Sequence, residues 1–182
     1  MWKTDNILLL SATDLEHDCK ELFGIPIFIT GIGKVNAAVN TTRLINEYNP
    51  DLVINFGSCG NLKDYRIGDV LEVGSVLNDI DTLGFNETEP IQLKVNSGIK
   101  CLTTDHMYDS AHDDYVESYM EKIDECDIID MELFSIAESC RIANKFLYSY
   151  KWVSDDGSNG QWLENAKAGF SNFKQIFKSK HL

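Results

Sequence analysis

Two acids late in the sequence each follow a short apolar run: Glu132 in Ile129-Asp130-Met131-Glu132, and Asp155 in Lys151-Trp152-Val153-Ser154-Asp155. The runs, Cys126 to Ile129 and Phe146 to Val153, read as buried strands. Carboxylates at the ends of neighbouring strands are held rigidly and close together, in the crevice where open α/β sheets bind ligands. A charge there is costly to bury and is kept because a ligand uses it. Two glycine-rich segments stand upstream, Thr30-Gly31-Ile32-Gly33-Lys34 and Asn55-Phe56-Gly57-Ser58-Cys59-Gly60. The second is expected to form a turn at a strand end, showing backbone N–H groups and the Ser58 hydroxyl to an anionic or polyhydroxy ligand.

Several familiar chemistries do not fit these segments. Asn36 stands where a dinucleotide fingerprint needs its third glycine, and the next strand runs into Gly57-Ser58 instead of an acid. No Walker loop occurs, and Ser58 lacks the Gly-x-Ser-x-Gly register of a nucleophile elbow. The Gly31–Gly33 segment then reads as a tight strand-to-helix turn that lets the backbone pass close to a neighbour. The four histidines are scattered without metal-ligand spacing, so neither a metal nor a cofactor is expected.

The elements that must position these groups alternate between strand and helix. Ile7 to Leu10 reads as a strand, Ser11 to Leu22 as a turn entering a helix capped by Thr13 or Asp14, and Pro26 to Thr30 as a second strand. A helix follows, with Val35, Ala38, Val39, Thr42 and Ile45 predicted as its buried face and Asn49-Pro50 as its end. Leu52 to Phe56, Asp69 to Val76 and Lys100 to Thr104 are further strands, and Asn78 to Glu89 a surface loop. Tyr108 to Tyr119 gives no structural signal. Helices are expected over Met131 to Asn144 and from Gln161 onward, the latter carrying Trp162, Ala166, Phe170, Phe173 and Phe177 at helical spacing. This order implies an α/β sheet covered on both faces and a single domain over residues 1–182.

Composition narrows the partner. With 16 basic and 29 acidic residues the formal net charge is −13, which makes nucleic acid and anionic membrane poor partners. The five cysteines form no Cys-x-x-Cys pair and lie mostly in apolar or helical segments, consistent with a reducing compartment. The apolar run at Ile7 to Leu10 is too short for a signal peptide or membrane span, so the cytoplasm is expected. A small-molecule substrate is the expected partner.

Five segments, in order, resemble those of the methylthioadenosine/S-adenosylhomocysteine nucleosidases of the nucleoside phosphorylase superfamily. Thr30 to Ala38 is similar to their Gly-Ile-Gly-Lys-Val-Ala-Ala, and Asn55 to Leu62 with Gly68-Asp69-Val70 to their Asn-Thr-Gly-Ser-Ala-Gly-Gly-Leu and Gly-Asp-Ile. Asp130-Met131-Glu132 resembles their Glu-Met-Glu, and Val153-Ser154-Asp155 their Ile-Ser-Asp. The resemblance implies a three-layer αβα sandwich around a central mixed, mostly parallel sheet, a homodimer, and hydrolysis of a purine nucleoside to free base and ribose moiety. It makes Glu16 the residue that positions water and Asp155 the one that protonates or hydrogen-bonds the purine. Substrate binding falls to Ser58, Gly60, Met107, Met131, Glu132 and Ser154, with Glu132 across the ribose hydroxyls.

Glycosidic cleavage needs these groups on its own account: an acid at the departing base, a carboxylate beside the oxocarbenium-like sugar, and another to activate water. The sequence departs from the family in a short stretch between Lys20 and Gly31, a short Leu77 to Val95 loop, Met107 for a stacking Phe, Lys151 for Arg, and Trp152 for a small residue. Phosphorolysis is the alternative reaction, disfavoured by the scarcity of Arg (43, 66 and 141) and by an acid at the water position. A non-catalytic nucleoside-binding protein is the alternative from another class.

Overall fold

The computed structural model describes residues 6–79, 89–93, 95–109, 117–157 and 161–182. Its strands are β1 (Ile7–Ser11), β2 (Glu21–Leu22), β3 (Ile25–Ile29), β4 (Leu52–Asn61), β5 (Val70–Glu72), β6 (Ser75–Asn78), β7 (Ile91–Gln92), β8 (Lys100–Thr103), β9 (Ile128–Asp130) and β10 (Phe146–Asp155). The helices are α1 (Lys34–Tyr48), α2 (Glu117–Glu125), α3 (Leu133–Ile142), α4 (Gln161–Asn165) and α5 (Phe170–His181). They flank one mixed sheet, as the resemblance implies.

The sheet is built around two parallel sets, to which β2, β5 and β7 add antiparallel to β3, β10 and β6. Strands β3, β1, β4 and β10 run together, and β6, β8 and β9 run together. The sets meet antiparallel at their carboxyl ends, where Gly60 and Asn61 of β4 pair with Ile129 and Ile128 of β9. Crevices form at the carboxyl ends of parallel strands. Here two sets of such ends face each other, so one cleft collects side chains from both.

Period-two alternation on buried strands feeds a core on each face. Leu8, Leu10 and Val53 pack with Ala37, Leu44 and Ile45 of α1 and Ile136 and Ala137 of α3. On the other face Ile7, Leu9, Ile54 and Phe56 pack with Phe170, Phe173 and Phe177 of α5. The Phe56 and Phe173 rings stack with centroids 4.6 Å apart.

Several expectations need correction. The predicted buried face of α1 is displaced: Ala37, Thr41, Leu44 and Ile45 are buried with Lys34, whereas Val35 (76% exposed) and Val39 (62%) face outward. The helix carries two apolar stripes, and the one with Ala37, Leu44 and Ile45 packs on the sheet. Gly57 to Gly60 is not a turn but the carboxyl-terminal half of β4, because β10 pairs with it through Asp155. Ser11 to Leu22 forms no α-helix; Thr13 caps a single 3₁₀ turn, Asp14–Glu16, and the chain then enters β2. The strand expected over Asp69 to Val76 changes partner midway, β5 pairing with β10 and β6 with β8. The C-terminal helix breaks between α4 and α5, where the Ala166 carbonyl accepts a hydrogen bond from Trp152 Nε1 (2.8 Å). Most of the predicted 78–89 loop and of Tyr108 to Tyr119 lies outside the described residues, and α2 begins at the end of the latter.

Truncating Phe173, which is fully buried, removes the centre of the aromatic face. Phe173→Ala is expected to lower unfolding free energy by about 3–5 kcal/mol in a urea titration, and a loss below about 1 kcal/mol would contradict this packing.

Candidate active site

Glu16 is placed by the 3₁₀ turn at the end of β1. The Thr13 hydroxyl accepts from the Leu15 N–H (3.3 Å), and the short turn folds the Glu16 side chain back over β4. Its Oε2 accepts from the Ser11 hydroxyl (2.7 Å) and the Ala12 N–H (3.2 Å), and its Oε1 from the Ser58 N–H and hydroxyl (2.7 Å each). A Cβ at position 57 would lie 2.7 Å from Oε1, so only glycine there leaves room for the carboxylate. Four donors hold the buried charge, satisfying the condition for keeping it away from solvent.

Glu132 stands between β9 and α3, where its Oε1 accepts from the Gly33 N–H (2.9 Å). Gly33 has φ 90°, which aims that N–H away from α1 and into the cleft. Burial, then the neighbouring Asp130 and Glu16 carboxylates, push the Glu132 carboxyl up to about 7, against the pull of Lys151 and of the Gly33 N–H.

Beneath these acids lies Lys151, only 1% exposed, with Nζ 2.7 Å from Asp130 Oδ2. Burial alone would lower its pKa, but Asp130, Glu132 and Glu16 outweigh it and hold the ammonium charged. Asp130 also accepts from the Thr103 hydroxyl (2.6 Å) and the Leu133 N–H (2.9 Å), so the pair is hydrogen-bonded on several sides. Burial pushes the Cys59 thiol well above its usual range, which leaves it inert as a nucleophile.

Asp155 ends β10 just after a bulge. Val153 pairs with Cys59 and Asp155 with Gly60, so Ser154 is the extra residue. Its hydroxyl lies 2.7 Å from Asp155 Oδ2 and 3.1 Å from the Cys59 carbonyl. One hydroxyl proton serves one of these acceptors at a time, and the shorter contact is to Asp155. Asp155 Oδ1 accepts from the Gly157 N–H (3.1 Å).

Ser58, Gly60, Met107, Met131, Glu132 and Asp155 line one cavity of about 120 Å³, with Ile32 and Trp162 adding apolar wall. Glu16 and Ser154 lie directly behind it, bonded to Ser58 and Asp155. All eight residues singled out in the sequence thus converge on one cleft. A larger cavity of about 640 Å³ between Ile91 and α3 contains none of them. Among the described residues no cluster of three His, Cys, Asp or Glu side chains is set to hold a metal. Sequence reasoning missed Ser11 and the Lys151–Asp130 pair, and read Trp162 only as one face of a helix, although its indole donates to the Ser58 hydroxyl (2.9 Å). The lysine carried a signal, a lone cation inside an apolar strand, and Trp162 carried none.

Residues 23–96 match the model of the phosphorylase superfamily. A 5'-methylthioadenosine/S-adenosylhomocysteine nucleosidase of Oceanobacillus iheyensis is 30% identical over 140 residues, which are 64% of this chain and 61% of that protein. One from Staphylococcus aureus is 50% identical over 58 residues, 31% of this chain and 25% of that protein. The matches therefore span less than two thirds of these relatives' length. Among solved structures, the nucleosidase of Neisseria meningitidis in complex with methylthio-immucillin-A superposes with TM-score 0.77 at 22% identity, covering 95% of this chain and 98% of that one. Futalosine hydrolase of Helicobacter pylori gives TM-score 0.78 at 17% identity over 97% of each chain.

Replacing Lys151 by Met leaves Asp130 buried without its counter-charge. We expect a loss of about 3–5 kcal/mol in denaturant unfolding, largely recovered in the double variant D130N/K151M; equal losses in both would contradict the pairing. The resemblance read from the sequence is borne out: residues 23–96 match the phosphorylase superfamily model, the relatives named are methylthioadenosine/S-adenosylhomocysteine nucleosidases, and the fold is that of the solved nucleosidase structures.

Proposed function

We propose that the protein is a purine nucleoside N-glycosidase that hydrolyses a 5'-thio-substituted adenosine of the methylthioadenosine/S-adenosylhomocysteine type. The observation that carries this reading is the convergence of Glu16, Glu132 and Asp155 on one cleft from three different strand ends. Glu16 engages β4 at Ser58, whereas Asp155 pairs with it at Gly60. Two residues of strand separate those points by about 7 Å, room for a sugar between them.

In this mechanism Asp155 delivers a proton to the departing purine, steadied by Ser154. Glu132 accepts the ribose hydroxyls and favours the positive charge that develops on the ring. Glu16 takes the proton of the attacking water. Its Oε2 becomes available when Ser11 turns its hydroxyl to the Thr13 carbonyl, 3.1 Å away. Met131 and Met107 contribute apolar contact to sugar and base.

Phosphorolysis finds no support in the charge distribution. Lys151 is engaged by Asp130, and Lys34 is paired with Asp79 and Asp105 (the latter at 3.3 Å). A phosphate at Glu16 would meet a carboxylate instead of a free cation. A homodimer in the cytoplasm completes the reading. The outward stripe of Ile32, Val35 and Val39 supports a second copy as its cover, and five free cysteines, four of them buried, support a reducing compartment.

Purified protein incubated with methylthioadenosine, S-adenosylhomocysteine, adenosine and inosine is expected to release free base without phosphate. Asp155→Asn should reduce that rate by about 10²–10⁴ while retaining ligand affinity. Release only with phosphate would assign a phosphorylase, and binding without release would assign a nucleoside-binding protein.

The Glu132 carboxyl, raised to about 7, must ionise to accept the diol. For the free enzyme kcat/KM should therefore increase as pH rises through about 7, and Glu132→Gln should abolish that limb. A profile flat from pH 5.5 to 8 would contradict this role.

A further inference from the structure

We infer that Trp162 is a positioning residue that sets the water-activating carboxylate through Ser58. The inference rests on the reading that Glu16 works on water. The geometry fixes the direction of the chain of hydrogen bonds. An indole N–H only donates, so Ser58 Oγ must accept from Trp162 Nε1 at 2.9 Å. The hydroxyl has one proton, and it goes to Glu16 Oε1 at 2.7 Å. The Ser58 N–H also donates to Oε1 at 2.7 Å, so this oxygen is clamped by backbone and side chain of one residue.

The two oxygens of Glu16 differ in freedom for this reason. Ser11, on Oε2, has a second acceptor in the Thr13 carbonyl and can turn away. Ser58, on Oε1, is oriented by an incoming donor whose own proton strengthens the outgoing bond. Oε2 keeps only the longer Ala12 N–H bond (3.2 Å) when Ser11 turns away, so Oε1, with two bonds of 2.7 Å, anchors the carboxylate plane and Oε2 meets the water. The anchor is delivered by α4, the first helix after β10 and therefore after Asp155. The same stretch of chain supports the acid at the base and the carboxylate at the water. Trp162 also walls the cleft, so its two roles must be separated by experiment.

Trp162→Phe keeps an aromatic wall and removes the N–H. As a positioning residue it should lower kcat for base release about tenfold with KM changed less than about twofold, since the ground-state contact survives. In a Ser58→Ala background the same replacement should change kcat less than about twofold, because the relay is already broken. Equal effects in the two backgrounds, or unchanged kcat in Trp162→Phe alone, would overturn the inference. An activity-independent readout guards against failure of the functional reading itself. In ¹⁵N-indole NMR spectra, Ser58→Ala should move the Trp162 Nε1–H resonance upfield and leave that of Trp152, bonded to Ala166, in place. A Trp162 resonance that does not move would show that the bond is absent, whatever the protein hydrolyses. Absence of base release from every nucleoside with the expected NMR shift would sink the proposed reaction, and with it the role of the relay, while leaving the contact established.

Discussion

One buried ammonium allows the cleft to exist. Three carboxylates, Glu16, Asp130 and Glu132, are each less than a tenth exposed, and bringing them together would be prohibitive without a counter-charge. Lys151 supplies it from the centre of β10, fixed by direct pairing to Asp130 and by longer-range attraction to the two glutamates. Burial, and after it the Asp130 carboxylate, still push the Glu132 carboxyl up to about 7, and the three buried carboxylates outnumber the Lys151 ammonium set among them. A site in that condition favours a ligand that becomes cationic, as the ribosyl group does when a glycosidic bond breaks.

The sheet makes this concentration of charge geometrically possible. Parallel strands offer their carboxyl ends to a crevice, and here two parallel sets meet end to end at Gly60 and Ile129. Glu16 follows β1, Ser58 and Gly60 lie within β4, Glu132 follows β9 and Asp155 ends β10. Each side chain is thus anchored to a buried strand. Close approach then depends on omitted side-chain atoms, chiefly at Gly57, where a methyl would displace Glu16. Neighbouring hydroxyls and amides complete the shell: Ser11 and Ser58 around Glu16, Ser154 beside Asp155, Thr103 against Asp130.

Much of this was legible in the sequence because buried strands and strand-end acids leave a local mark. The apolar run before Asp155 lies on β10 and the end of the one before Glu132 on β9, and Ser58 and Gly60 do line the cleft. What was not legible depends on pairing between distant segments. Gly57 to Gly60 has turn composition, yet β10 holds it extended. On α1 the Val35 and Val39 stripe is as apolar as the buried one, and local periodicity cannot tell which faces the sheet; burial of Lys34 follows from Asp79, 45 residues away. Residues 11–22 have a cap signal in Thr13, but the next turn leads into β2 and not a helix. Trp162 kept the spacing of an amphipathic helix, while its bond crosses to Ser58, 104 residues earlier.

On the proposed reading, this excess of carboxylate over ammonium recognises a sugar carrying positive charge. Calorimetric titration at pH 7.5 with two adenine-bearing 5'-methylthio ligands of matched shape, one with a cationic nitrogen in the sugar ring and one a neutral ribose, tests it directly. The neutral ligand would be measured on Asp155→Asn, which retains the glutamates, and the cationic ligand on the same variant. The cation is expected to bind at least about a hundredfold more tightly. Equal affinities would mean that the charge of the cleft is spent on holding the fold, and would contradict the glycosidase reading.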